Sequence, residues 1–111
     1  MKIRILENDV ATGSKTKMAN LDLANEFDAH EVANYRSLLD ELAEAELDVV
    51  NLDCSNMRFI DSSGIGAIVY LYKRLKRRNS QLTLSGVSGQ PLKLMTMLRV
   101  NQTIPFIEQA A

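Results

Sequence analysis

Short apolar segments alternate along this chain with longer segments whose apolar residues recur every three or four positions. Short apolar runs are typical of β-strands, and apolar residues at every third or fourth position are typical of amphipathic helices. The order is strand, strand, helix, strand, helix, strand, helix, strand. Strands that alternate with helices pack as layers of an α/β fold. We therefore predict one α/β domain over residues 1–111, with a mixed β-sheet and helices packed against it.

The chain begins with a predicted β-hairpin. Its first strand is expected at Ile3–Leu6 and its second within Lys17–Leu23, where apolar and polar residues alternate. Residues 7–15 between them are rich in turn formers. We expect the apolar side of the second strand to face the core, since alternate side chains of a strand point to opposite faces.

The central strand is predicted within residues 47–55, "LDVVNLDCS". Val49, Val50 and Leu52 make this segment almost continuously apolar, which favours a strand covered on both faces. Two further strands are predicted, "QLTLSG" at 81–86 and "TIPFIE" at 103–108. Because helices separate these strands along the chain, we expect them to be parallel neighbours, with the last at an edge.

The predicted helices have recognisable starts. Asp28 and Glu31 form a capping-box-like pair before the first helix, and "DSSG" at 61–64 comes directly before the apolar period of the second. Pro91 lies in the first turn of the third helix, where proline is tolerated. In that helix we expect Met95, Met97 and Leu98 to pack in the core.

The composition excludes several classes of function. A net charge of -1 gives no general attraction to nucleic acids or anionic membranes. No apolar run approaches the roughly 20 residues of a spanning helix, and the N-terminus lacks a secretory pattern, so we expect a cytoplasmic protein without membrane insertion. A single cysteine, Cys54, and a single histidine, His30, predict no disulfide, metal site or bound cofactor.

The "DSSG" segment contains more hydroxyl groups than a helix start requires. Asp61, Ser62 or Ser63 can accept a hydrogen bond from a backbone N–H as the cap, and Gly64 would let the loop turn tightly. A serine that is not needed as the cap can accept a phosphate, because a helix N-terminus stabilises negative charge. The modification would leave the fold intact and change the charge of the surface.

Serines and glycines at a helix start also occur in enzymes and in nucleotide-binding domains. A serine nucleophile needs a base within reach, but His30 lies on a different predicted helix and no G-x-S-x-G motif is present, so we expect no enzyme activity. The glycines Gly64 and Gly66 form neither the dinucleotide fingerprint nor a P-loop. A small nucleotide-binding domain remains the weaker alternative.

Residues 49–87, "VVNLDCSNMRFIDSSGIGAIVYLYKRLKRRNSQLTLSGV", resemble the central half of a STAS domain of the anti-sigma factor antagonist type. The segment 25–42, "NEFDAHEVANYRSLLDEL", resembles the family's first helix with its preceding aspartate, here Asp28. The segment 90–108, "QPLKLMTMLRVNQTIPFIE", resembles its closing helix and strand. Nearly the whole chain is covered by the resemblance.

This resemblance implies a binding protein that switches partners. The unphosphorylated form would bind a serine kinase, also called an anti-sigma factor, of the histidine-kinase-like ATPase fold. Phosphorylation of Ser62 would release the kinase, and a PP2C-like phosphatase would reverse the modification. The resemblance assigns Asp61, Ser63 and Gly64 to the contact surface. It also implies that Asp28 supports the neighbouring loop.

The output of such a pathway is transcription or another process such as biofilm formation or secretion. The alternative within the same family is an adaptor subunit of a transport or sensory complex. In that case the "DSSG" segment is contact surface and is never phosphorylated.

Overall fold

The fold is known from a computed structural model that describes the backbone of residues 3–9 and 15–108 and the side chains of residues 16–108. Its strands are β1 (Ile3–Asp9), β2 (Lys15–Asp22), β3 (Glu26–Phe27), β4 (Val49–Asp53), β5 (Phe59–Ile60), β6 (Gln81–Ser85) and β7 (Phe106–Ile107). Its helices are α1 (Ala29–Glu44), α2 (Ser62–Arg77) and α3 (Gly89–Met97), followed by a 3-10 turn at Val100–Gln102.

The main sheet has five strands in the order β1-β2-β4-β6-β7. The pair β1–β2 is antiparallel, whereas β2–β4, β4–β6 and β6–β7 are parallel. This confirms the predicted hairpin, the mixed α/β sheet, the central position of β4 and the edge position of the last strand. Residues 10–14 of the predicted turn lie outside the described residues.

One face of the sheet forms the core. The register aligns buried apolar residues in rows across the three inner strands, Ala19 with Val50 and Leu82, and Leu21 with Leu52 and Leu84. Helix α2 packs over this face with Ile68, Leu71 and Leu75, which are at most 1% exposed. Their spacing of three and four residues keeps them on one side of the helix, as the sequence predicts.

The opposite face of the sheet is polar, so the prediction that β4 is covered on both faces is wrong. Along β4, Val50 and Leu52 are buried, while Val49, Asn51 and Asp53 are only partly buried. Asn51 donates hydrogen bonds from Nδ2 to Asn20 Oδ1 at 2.6 Å and to Ser85 Oγ at 2.9 Å. Its Oδ1 accepts a hydrogen bond from Thr83 Oγ1 at 2.8 Å, so one side chain links three strands.

Helix α3 differs from the prediction at its C-terminal end. Met95 is fully buried, but Met97 is 70% exposed and Leu98 is 53% exposed, so their expected place in the core is wrong. Pro91 and Met95, four residues apart, lie on the buried side of the helix. Met97 is two residues beyond Met95, which turns its side chain by about 200° away from that side.

We predict that Asn51→Ala lowers the free energy of unfolding by about 1–3 kcal/mol, since it removes three hydrogen bonds and leaves the buried Ser85 hydroxyl without its donor. Asn20→Ala, on the neighbouring strand, should cost less, because Asn51 keeps its bonds to Ser85 and Thr83. Urea unfolding of the two variants measures the difference. Equal losses would contradict the role of Asn51 as the link.

Candidate functional site

Two short strands bring the starts of α1 and α2 together. The strands β3 and β5 form a parallel pair in which Glu26 is opposite Phe59 and Phe27 is opposite Ile60. Each strand is followed at once by an aspartate and a helix, so Asp28 and Asp61 leave the pair side by side. Neither of these two strands is among those predicted from the sequence.

Each aspartate caps the helix that it precedes. Asp28 Oδ1 accepts a hydrogen bond from the backbone N–H of Glu31 at 3.0 Å, which confirms the predicted cap of α1. Asp61 Oδ1 accepts from the N–H of Gly64 at 2.9 Å. Both aspartates have the extended backbone that an N-cap requires. Of the three possible caps in "DSSG", the structure therefore selects Asp61.

Asp61 also connects the two helices. Its second carboxylate oxygen, Oδ2, accepts a hydrogen bond from the backbone N–H of Ala29, the first residue of α1, at 3.2 Å. The N-terminal N–H groups of a helix have no partner within the helix. One carboxylate thus satisfies such groups on both helices and holds the two N-termini next to each other.

The two serines of the segment stay free because Asp61 is the cap. Ser62 and Ser63 are both exposed, and neither hydroxyl makes a hydrogen bond within the described part of the chain. They lie in the first turn of the 16-residue helix α2, at the positive end of its dipole. Accessible hydroxyl groups at this place can be esterified without breaking a contact that the fold uses.

Gly64 is buried, and its role differs from the turn that the sequence suggested. It lies inside α2 and does not have a positive φ. A Cβ at this position would be 2.6 Å from Ile60 Cγ1 and closer still to the carbonyl oxygen of Phe27. Glycine is therefore needed because the start of α2 packs directly against the strands β3 and β5.

Gln90, in the first turn of α3, completes the site, and it is not among the residues predicted from the sequence. Its Oε1 accepts from the N–H of Ile60, and its Nε2 donates to the carbonyl oxygen of the same residue, both at 2.9 Å. The side-chain amide thus occupies the edge of β5 that β3 leaves open. No local pattern identifies such a residue, since an exposed glutamine early in a helix is common.

The structure gives no support to a phosphate-binding loop at the glycines. Gly64 and Gly66 both lie within α2 and not in a loop that precedes it. No three His, Cys, Asp or Glu side chains among residues 16–108 are grouped so that they could hold a metal ion. In the same part of the chain, no helix has the length and apolar character needed to cross a membrane.

Comparison with known proteins gives the family. The model of the STAS domain family matches residues 13–110, so the chain belongs to this family. An anti-sigma-B factor antagonist of Listeria monocytogenes is 27% identical over 104 residues, which are 94% of this chain and 86% of that protein.

Solved structures show the same fold. A STAS domain protein from Planctomyces limnophilus, described as an anti-sigma-factor antagonist, superposes with a TM-score of 0.77 at 18% identity, covering 97% of this chain and 91% of that one. The Bacillus cell fate determinant SpoIIAA in its phosphorylated form gives a TM-score of 0.64 at 17% identity, covering 96% and 92%. The predicted resemblance to the STAS family is confirmed.

Two glycines of α2 allow a matched test of the packing at the site. We predict that Gly64→Ala costs about 1–3 kcal/mol of stability, because the added methyl group collides with backbone and core atoms. Gly66→Ala should instead stabilise by about 0.5–1 kcal/mol, since its Cβ meets no described atom within 4 Å and alanine favours a helix. Thermal unfolding distinguishes the two, and equal effects would contradict the close approach.

Cys54 should be unreactive in the folded protein. Burial, and then the charge of Asp53, raise the pKa of its thiol to about 12, so almost none of it is thiolate near pH 8. We expect a disulfide reagent such as DTNB to label Cys54 only after unfolding in guanidinium chloride. Rapid labelling under native conditions would show that the thiol is accessible. Cys54 is thus a small apolar residue of the core.

Proposed function

We propose that this chain is a phospho-switchable anti-sigma factor antagonist. In this proposal it binds a serine kinase while unphosphorylated and releases it when Ser62 carries a phosphate. The observation that carries the proposal is the free, exposed hydroxyl of Ser62 at the start of a helix whose cap is supplied by Asp61. The name of the Listeria relative supports it, as does the phosphorylated form in which one structural neighbour is known.

The physical basis of the switch is a change of charge on an intact surface. A phosphoserine adds about 1.5 to 2 negative charges near pH 7. At Ser62 these charges lie at the positive end of the α2 dipole, which stabilises the phosphorylated protein in its folded state. They also lie beside the carboxylate of Asp61, so the surface that faces a partner becomes strongly negative. A partner that buries this surface would have to bury an unpaired dianion, and the complex dissociates.

The other residues of the proposed contact surface have separate roles. Asp61 and Ser63 present polar groups next to Ser62, whereas Gly64 acts from below, by allowing α2 to pack on β3 and β5. Asp28 holds the start of α1, which Asp61 joins to α2. The contact surface is therefore the pair of helix N-termini and not one loop.

The proposed partners follow from the family. They are a serine kinase of the histidine-kinase-like ATPase fold, which acts as the anti-sigma factor, and a PP2C-like phosphatase that removes the phosphate. Because the kinase uses ATP, the exchange would take place in the cytoplasm. The chain itself performs no catalysis in this cycle. Its output is transcription or another process, such as biofilm formation or secretion, that the kinase controls.

The Ser62 variants test the proposal. Ser62→Ala should keep wild-type affinity for the kinase and accept no phosphate, while Ser62→Asp should bind at least about tenfold more weakly because it places a carboxylate at the contact. The measurements are calorimetric titration against each purified kinase of this class from the same genome and mass spectrometry after incubation with kinase and ATP. Ser63→Ala is the matched control and should still be phosphorylated at Ser62.

Three results would contradict the proposal. They are phosphate on a residue other than Ser62, affinity that is the same for Ser62→Asp and wild type, and the absence of any binding kinase. Binding without any phosphorylation would favour the adaptor within the same family. Circular dichroism of each variant separates these outcomes from a loss of folding, which we do not expect at an exposed position.

A further inference from the structure

A groove of about 230 Å³ runs between α1 and α2, next to the proposed contact surface. Its lining residues are Val32, Arg36 and Leu39 from α1 and Ser63, Gly66, Ala67 and Tyr70 from α2. Ser63, Gly66 and Tyr70 are three and four residues apart, so they follow one side of α2 from its start. The groove therefore begins at the serine adjacent to Ser62.

The groove is apolar at its base and carries one positive charge. Leu39 and Ala67 are buried, and among the lining residues only Arg36 is charged. The Arg36 guanidinium lies over the ring of Tyr70, 5.5 Å from its centroid, and it makes no ion pair within the described residues. An unpaired guanidinium beside an apolar base is able to receive a carboxylate.

A second arginine nearby shows the contrast. Arg74 also lies over the ring of Tyr70, at 5.6 Å from the centroid. Its guanidinium is paired with Asp40 at 3.0 Å and with Glu44 at 3.5 Å. The charge of Arg74 is thus compensated within the chain, while that of Arg36 is available to a partner.

Gly66 keeps the groove open. A Cβ at this position would meet no atom of the described residues within 4 Å, so none of their side chains takes up the space beside the helix. Glycine inside a helix costs about 0.5–1 kcal/mol relative to alanine. Packing among the described residues does not require this glycine, whereas it does require Gly64.

We propose that this groove is the specificity pocket of the contact surface, and that it receives an apolar side chain of the kinase together with a neighbouring aspartate or glutamate. The inference rests on the proposed function and extends it from the serines to the space between the helices. The apolar side chain fits over Leu39 and Ala67 beside Gly66, and the carboxylate pairs with Arg36. Tyrosine and arginine, which both line the groove, are among the residue types that most often dominate binding energy at interfaces.

The position of the groove connects the pocket contact to the proposed phosphorylation of Ser62. A carboxylate of the partner held at Arg36 would lie in the groove that begins at Ser63, the residue after Ser62 in the sequence. A phosphate on Ser62 adds negative charge near the start of this groove, and this charge repels the carboxylate of the partner. Phosphorylation would thus weaken the pocket contact as well as the contact at Ser62 itself.

Two substitutions test the pocket in the unphosphorylated protein. Gly66→Leu fills the groove at a position where added atoms meet free space, and Arg36→Ala removes the cation while leaving the groove open. Each should weaken binding to the purified kinase at least about tenfold in calorimetric titration. Arg77→Ala, which removes an exposed arginine at the far end of α2, is the matched control and should stay within about threefold.

The outcomes separate the pocket from the switch. If Ser62→Asp weakens binding while folded Gly66→Leu and Arg36→Ala bind like the wild type, the pocket is wrong and the proposed function stands. If no kinase of this class binds the wild type or modifies Ser62, the proposed function fails and the pocket fails with it. Should Gly66→Leu not fold, as judged by circular dichroism, Arg36→Ala decides alone, because its side chain is exposed.

Discussion

The carboxylate of Asp61 accepts hydrogen bonds from the first turns of two helices, and the arrangement of the candidate site depends on this double contact. It replaces the cap that Ser62 or Ser63 would otherwise supply, and it fixes α1 beside α2. The pairing of β3 with β5 brings the helices to the required distance, and Gly64 lets α2 approach. Because Asp61 supplies the cap, the two serines stay accessible.

Much of the fold could be predicted from the sequence because it depends on repeating patterns. The alternation in β2 and the helical period of α2 each extend over several residues, and the Asp28–Glu31 spacing is a local signal for a cap. The predictions that failed concern strands too short to show a period and apolar residues whose surroundings the sequence does not reveal. Two-residue strands such as β3 have no period, and Val49 is as apolar as Val50 although it faces the polar side of the sheet.

The residues of the site could be predicted from the sequence, but the contacts that they make with distant segments could not. "DSSG" indicates a helix start, yet the choice of Asp61 as cap depends on Ala29, 32 residues away in the sequence. The reason for Gly64 is the carbonyl oxygen of Phe27. Such facts come from tertiary contacts between distant segments, and no local propensity contains them.

The position of Gln90 in the sequence determines when the site is completed during synthesis of the protein. It closes the open edge of β5 from a position 30 residues further along the chain. During synthesis, which proceeds from the N-terminus, the serines therefore leave the ribosome before the residue that seals the strand leading to them. Until α3 arrives, the backbone of Ile60 must bond to water, so the proposed contact surface of a nascent chain is incomplete.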